Sequence, residues 1–122
     1  MSRSNSSTDP LYDLRLALRE FAAARDWDQF HSPKNLAMAL SVEAAELLEH
    51  FQWLTEAQST QLKPGELGKV KEEIADVLLY LIRLADKLHI DVAEAAAHKM
   101  RVNERKYPVD KARGSSRKYT NF

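Results

Sequence analysis

The 122-residue sequence has no cysteine, only three glycines and four prolines, and no formal net charge. Without cysteine there is no disulfide framework, which fits a reducing compartment. Without net charge, the chain as a whole has no field drawing it to a nucleic-acid polymer or an anionic membrane. Long hydrophobic runs are missing too: Val77–Ile82, the longest uncharged apolar stretch near the middle, is far short of the roughly 20 residues that span a bilayer. Residues 1–9 are polar and serine-rich, without the apolar core of a secretory signal. A soluble, cytoplasmic protein is expected. No segment alternates as a strand, and no repeat or low-complexity tract marks a second domain.

One domain, residues 1–122, is expected at this length, with a modest core. The few prolines stand where helices begin or end. Asp9-Pro10 reads as an N-cap and first helical position, opening a helix that carries Leu11, Leu14, Leu18 and Phe21 to about Arg25. After a connection over 26–32, Ser32-Pro33 repeats the signature and opens a second helix to about Glu56. The polar stretch 57–63 reads as a loop, and Pro64 restarts a long helix ending near His89. Asp91 with Glu94 has capping-box spacing, and a last helix runs to about Tyr107, where Pro108 stops it. Residues 1–8 are expected to be disordered and 108–122 to form an extended tail. The fold class is all-α, a four-helix bundle. Leu48, Leu79 and Ile82 lie off the main stripes of the two long helices, so each has more than one apolar face, which predicts self-association as a homodimer or homotetramer.

Two carboxylate pairs stand out, Glu43 with Glu46 and Glu73 with Asp76, each spaced i,i+3 so that both acids share one helix surface. At about 100° per residue, Leu36, Leu40, Leu47, Phe51 and Leu54 form one stripe of the second helix, with Glu43 inside it and Glu46 on its border. A carboxylate on a core-facing stripe needs compensation. In the third long helix Val70, Ile74, Val77, Leu81, Ala85 and Leu88 mark the expected buried face, which places Glu73 near it, Asp76 further round and Glu72 nearly opposite.

Two like charges about 4 Å apart repel by roughly 4 kcal/mol at an effective dielectric of 20. Clustered acids therefore bind protons or cations, and all-oxygen ligation selects hard ions, Mg²⁺ or Mn²⁺. Such a metal suits phosphoryl chemistry. Surface salt bridges with Lys69 and Lys71 are the ordinary fate of helical glutamates, but the stripe position of Glu43 argues against that alone. A di-iron bundle needs Glu-x-x-His on two helices, whereas His50 follows Glu46 by four and neither Glu73 nor Asp76 has a histidine partner. Glycosidase chemistry needs only two carboxylates. Between Lys99 and Lys118 eight basic residues face two acids, an excess of six that the rest of the chain balances. This suits a site holding cations and polyanions together, or a solvated basic tail.

Glu-x-x-Glu, 26 intervening residues and Glu-x-x-Asp resembles the signature of the MazG-like all-α nucleoside triphosphate pyrophosphatases. The surrounding words are more specific: Arg25-Asp26-Trp27-Asp28-Gln29-Phe30-His31, Asn35-Leu36, Phe51-Gln52-Trp53, Asp76-Val77-Leu78-Leu79-Tyr80-Leu81, Lys99-Met100 with Asn103, Tyr107-Pro108, Arg113-Gly114-Ser115 and Lys118-Tyr119-Thr120. Together they resemble the dCTP pyrophosphatase branch over nearly all the chain beyond the first ten residues.

The resemblance implies an oligomeric MazG-like bundle that hydrolyses a nucleoside triphosphate, dCTP or a modified relative, to the monophosphate and pyrophosphate in nucleotide-pool sanitation. Glu43, Glu46, Glu73 and Asp76 would be its catalytic Mg²⁺ ligands, with Mn²⁺ a substitute, and Glu49 or a ligating carboxylate would orient the water. Trp27 and Trp53 would sandwich the base, the alternative being two partly buried core tryptophans. Asp28, Gln29, Phe30 and His31 would line the substrate, and Tyr80, one turn beyond Asp76, would reach sugar or phosphate. Lys99 and Asn103, sharing a helix face at i,i+4, and Lys118 are phosphate candidates. Leu18 departs from the pattern of the dCTP-specific members, which place a histidine there. A non-catalytic helical oligomer or nucleotide-binding module, and a pyrophosphohydrolase for a larger nucleotide such as phosphoribosyl-ATP, are the competing expectations.

Overall fold

The structure, a computed structural model, describes residues 9–122, so the expectation for residues 1–8 lies outside it. The described residues are helical and contain no strand. Helices α1 (Pro10–Ala24), α2 (Pro33–Glu49), α3 (Glu56–Ser59), α4 (Pro64–Lys87), α5 (Val92–Lys106) and α6 (Val109–Ala112) are joined by short connections, with 3-10 turns at Asp28–Phe30 and Tyr119–Asn121. The described residues divide into two compact units, one ending at Ile90 and the other Asp91–Phe122.

Local chemistry sets the helix starts. Asp9 and Ser32 cap α1 and α2 by accepting from the backbone N–H of Tyr12 and Asn35, and Pro10, Pro33 and Pro64 occupy first-turn positions where no N–H is needed. The ends of α1 and α4 share one geometry. Trp27 N–H reaches Ala22 O at 2.9 Å and Asp26 N–H reaches Ala23 O at 3.1 Å; Ile90 and His89 bond Ala85 O and Asp86 O in the same way at 2.8 and 3.1 Å. These are Schellman closures with Asp26 (φ 54°) and His89 (φ 57°) in the left-handed position usually filled by glycine. The first folds Trp27 back onto Phe21, ring centroids 5.6 Å apart and edge to face.

Three expectations are corrected. Helix α2 stops at Glu49 rather than near Glu56, and a complete capping box of Thr55 and Gln58 starts α3 at Glu56, which runs into the expected 57–63 loop. Trp53 and Leu54 therefore lie on a turn, off the α2 stripe. In the second unit residues 108–122 are not an extended tail. Pro108 O accepts from Lys111 and Ala112 N–H to close α6, and Tyr119 and Phe122 pack edge-on against Tyr107 at 5.8 and 5.7 Å.

The third correction concerns α4. In the first unit α1 and α2 both pack on α4. The stripe expected to be buried is largely outside: Val70 and Ala85 are buried, but Ile74, Leu81 and Leu88 are 53%, 41% and 49% exposed, as are Leu67 and Leu78 beside them. The face applied to α1, α2 and their connections is mixed: Val70, Ile82 and Ala85 are buried on it together with Arg83 and Asp86, and Glu73, Asp76 and Tyr80 lie beside them. A helical wheel normally turns its apolar stripe inward. Here Arg19 and Asp28 answer Asp86 and Arg83, which lowers the penalty for burying those two charges beside Val70, Ile82 and Ala85.

Replacing His89 by glycine should relieve left-handed strain at a helix end and stabilise the protein by about 0.5–1 kcal/mol. Urea denaturation reads the shift in midpoint, and a lower midpoint would contradict the closure described.

Candidate metal and nucleotide site

Helices α2 and α4 bring the two acid pairs to one place. Carboxylate oxygens of Glu43, Glu73 and Asp76 lie within 4.8 Å of one another, with Glu46 one turn along α2 beside Glu43. Hydrogen bonding to Glu46, loss of water and the Glu46 and Asp76 charges push the Glu43 carboxyl up to about 7. Burial, then Glu46 and Asp76, raises Glu73 as well. One Glu73 oxygen, Oε2, is buried with no hydrogen-bond partner. An orphaned buried oxygen on a carboxylate of this cluster is what a hard divalent cation would satisfy. His50 is no part of this donor set: its Nδ1 stands 3.5 Å from Glu66.

A cavity of about 170 Å³ adjoins the acids through Asp76. Leu18, Phe21 and Ala22 of α1 form one wall, Leu79, Tyr80 and Arg83 of α4 another, and Trp27 and His31 of the connection close it. Trp27 meets Phe21 and, at 6.4 Å, His31 edge-on, and remains 44% exposed. This is an apolar slot with a few polar groups beside a prospective metal site, the usual form of a small-molecule pocket.

Behind the connection lies an ion-pair network. Arg19 grips Asp86 with two bonds of 2.7 Å, and Arg15 stands 3.9 Å away. Arg83 donates from Nη2 to Asp28 and, at 3.2 Å, from Nε to His31 Nδ1, while its Nη1 lies 3.6 Å from Asp86. Lys87 holds the same Asp28 oxygen at 2.7 Å. Arg19 keeps the Asp86 carboxyl below its usual range, and Lys87 does the same for Asp28. Burial first, then the Arg83 and Lys87 charges, lowers the His31 imidazole.

A model of the MazG-like family matches residues 38–122, and dCTP pyrophosphatase 1 from Homo sapiens is 46% identical over 121 residues, 97% of this chain and 71% of that protein. The chain belongs to the MazG-like family. The Rattus norvegicus dCTP pyrophosphatase 1 is 45% identical over 98% of this chain and 71% of its own length. The solved structure of a pyrophosphatase from Archaeoglobus fulgidus superposes with a TM-score of 0.75 at 48% identity, covering 79% of this MazG-like chain and 90% of the other.

Of the residues singled out in the sequence, Glu43, Glu73 and Asp76 meet directly, Glu46 adjoins them, and Trp27, His31, Tyr80 and Leu18 line the adjacent cavity. Asp28 lies behind the cavity on Arg83 and Lys87, and Gln29 bonds the Asp26 backbone and side chain. Phe30 and Trp53 are exposed, Trp53 at 87%, and neither lines the cavity with Trp27. Lys99 and Asn103 lie on α5 in the second unit, and Lys118 precedes the last 3-10 turn. Phe21 and Leu79 were read only as apolar helix positions, and Arg83 and Asp86 were not singled out. For Arg83 and Asp86 the signal was an i,i+3 pair of opposite charge on the same α4 face as Glu73 and Asp76, legible once that face is known to turn inward.

A raised Glu43 means the folded chain keeps a proton that the unfolded chain releases above its usual value of 4.5. Metal-free protein should therefore lose stability as the pH rises from about 4.5 to about 7. A divalent cation replacing that proton should flatten the slope. Thermal melts with chelator and with Mg²⁺ across this range test it, and a slope unchanged in Glu43→Gln would assign the effect elsewhere.

Proposed function

We propose that this protein is a Mg²⁺-dependent nucleoside triphosphate pyrophosphatase that hydrolyses dCTP, or a modified dCTP, to the monophosphate and pyrophosphate. The observation carrying the reading is the meeting of Glu43, Glu73 and Asp76, with an unpartnered buried oxygen on Glu73, at the edge of an open cavity lined by Trp27, His31 and Tyr80. The activity of the similar dCTP pyrophosphatases makes cytosine the first base to test.

Glu43, Glu46, Glu73 and Asp76 would hold the metal. When bound, it would neutralise the triphosphate and acidify the attacking water. The carboxylates orient that water and accept its proton as it adds to the α-phosphorus; the bond from the α-phosphorus to the bridging oxygen breaks, and pyrophosphate leaves. Trp27 offers a face for the base, and Tyr80, one helical turn from Asp76, offers a hydroxyl for the sugar or a phosphate. Leu18, Phe21 and Ala22 exclude water without supplying hydrogen bonds to the base. An apolar wall discriminates between bases less sharply than a polar one, so other dNTPs should compete with dCTP.

Self-association belongs to the same reading. Leu67, Ile74, Leu78, Leu81 and Leu88 leave one long stripe of α4 exposed, and Trp53 is nearly bare. A second copy of the chain would cover these, as a homodimer or homotetramer. We place the enzyme in the cytoplasmic nucleotide pool, as a sanitising activity.

Incubation with a panel of NTPs and dNTPs and Mg²⁺, with products resolved, should give pyrophosphate and a monophosphate. Orthophosphate with a diphosphate would rule out attack at the α-phosphorus. Glu43→Gln and Asp76→Asn should each lower kcat roughly 10²-fold or more. Leu18→His should sharpen the preference for cytosine, and unchanged base discrimination would remove Leu18 from this account. Sedimentation should show a dimer or tetramer that Leu81→Glu weakens, whereas a wild-type monomer at micromolar concentration would refute the assembly.

A further inference from the structure

Arg83 is buried, lines the nucleotide cavity and touches no member of the carboxylate cluster by hydrogen bond or ion pair among the described residues. Its three guanidinium nitrogens point three ways: Nε to His31, Nη2 to Asp28 and Nη1 toward Asp86. Two of these partners lie on the turn that carries Trp27, and the third shares α4 with Arg83 and is held independently by Arg19.

We propose that Arg83 is a positioning residue for the nucleotide pocket, fixing His31 as an Nε2–H donor toward bound nucleotide and pinning the Trp27–His31 turn to α4. An arginine N–H can only donate, so His31 Nδ1 must accept and the ring hydrogen resides on Nε2. That nitrogen has no other hydrogen-bond partner among the described residues, and the imidazole lines the cavity. A neutral N–H donor there recognises an acceptor on the nucleotide, a carbonyl or ring nitrogen of the base or a sugar or phosphate oxygen, without placing another cation in the slot. Lysine cannot substitute, because a single ammonium does not reach three diverging partners from one planar frame. Asp28, shared by Arg83 and Lys87, gives the turn a second anchor.

The catalytic part of the inference rests on the pyrophosphatase reading; the hydrogen bond does not. Nitrogen-15 NMR of the full-length protein, with the His31 signals assigned from His31→Gln, reads the tautomer without substrate. The Nε2–H form is expected in the wild type, and a predominant Nδ1–H form would overturn the proposal outright. Arg83→Met should move the His31 Nδ1 signal toward that of an unbonded ring nitrogen, and Arg83→Met and Arg83→Lys should both raise KM for dCTP about tenfold or more while kcat falls less, the scale of one charge-assisted hydrogen bond. His31→Gln should add little in the Arg83→Met background, and fully additive effects would refute the coupling. If Arg83→Met fails to fold, Arg83→Lys, which keeps a cation beside Asp86, carries the same comparison. Should wild type not cleave dCTP at all, the pyrophosphatase reading fails. The tautomer then still decides the Arg83–His31 contact, and affinity for a nucleotide monophosphate, expected to be weaker in Arg83→Lys, decides its role in binding.

Discussion

Charge carried into a packed interface has to be compensated, and the first unit is organised around that requirement. Helix α4 presents to α1 and α2 a face that carries charge among the buried Val70, Ile82 and Ala85, and the charges on that face are resolved in two ways. Toward the C-terminal end, Arg83 and Asp86 are answered by Arg19, Asp28 and His31. Toward the middle, Glu73 and Asp76 meet Glu43, another acid, and the deficit is left for a proton or a cation. The first solution makes a rigid mount; the second leaves a site with a demand for a ligand.

Both solutions converge on one cavity. Asp76 borders it from the acid side, Arg83 and His31 from the ion-pair side, and Trp27 is brought over it by the Schellman closure at the end of α1. The last turn of α1, the 3-10 turn after it and the inner face of α4 are thus parts of one device. A fault in any one of them would reach the pocket without a change in the carboxylates. The opposite side of α4 leaves Ile74, Leu81 and Leu88 exposed, while Val70, Ile82 and Ala85 share the inner face with the polar groups.

Much of this was legible before any coordinates. Asp9-Pro10, Ser32-Pro33 and Pro64 marked helix starts because capping is local chemistry, settled within four residues. The i,i+3 acids paired because helical geometry requires it, and the wheel's preference for Glu73 over Glu72 agrees with the cluster found. Leu18 lines the cavity where the base specificity was suspected to change. Less was legible where two local preferences competed. The chain turns after Glu49, with Trp53 on the turn, before the Thr55–Gln58 capping box starts a new helix, and Tyr119 and Phe122 pack on Tyr107 in a segment that lacks any period.

The sequence by itself determined the helical class, most helix boundaries, the spacing of the acids and the MazG-like kinship, since each follows from residues close together in the chain or from words matched as words. Tertiary structure alone decided which face of α4 turns inward, which tryptophan borders the cavity, and that Arg83 joins Asp28, His31 and Asp86. An amphipathic helix states that it has two faces but not which neighbour takes each. That choice depends on charges up to 67 residues away, such as Arg19 on Asp86, meeting only when the chain has folded.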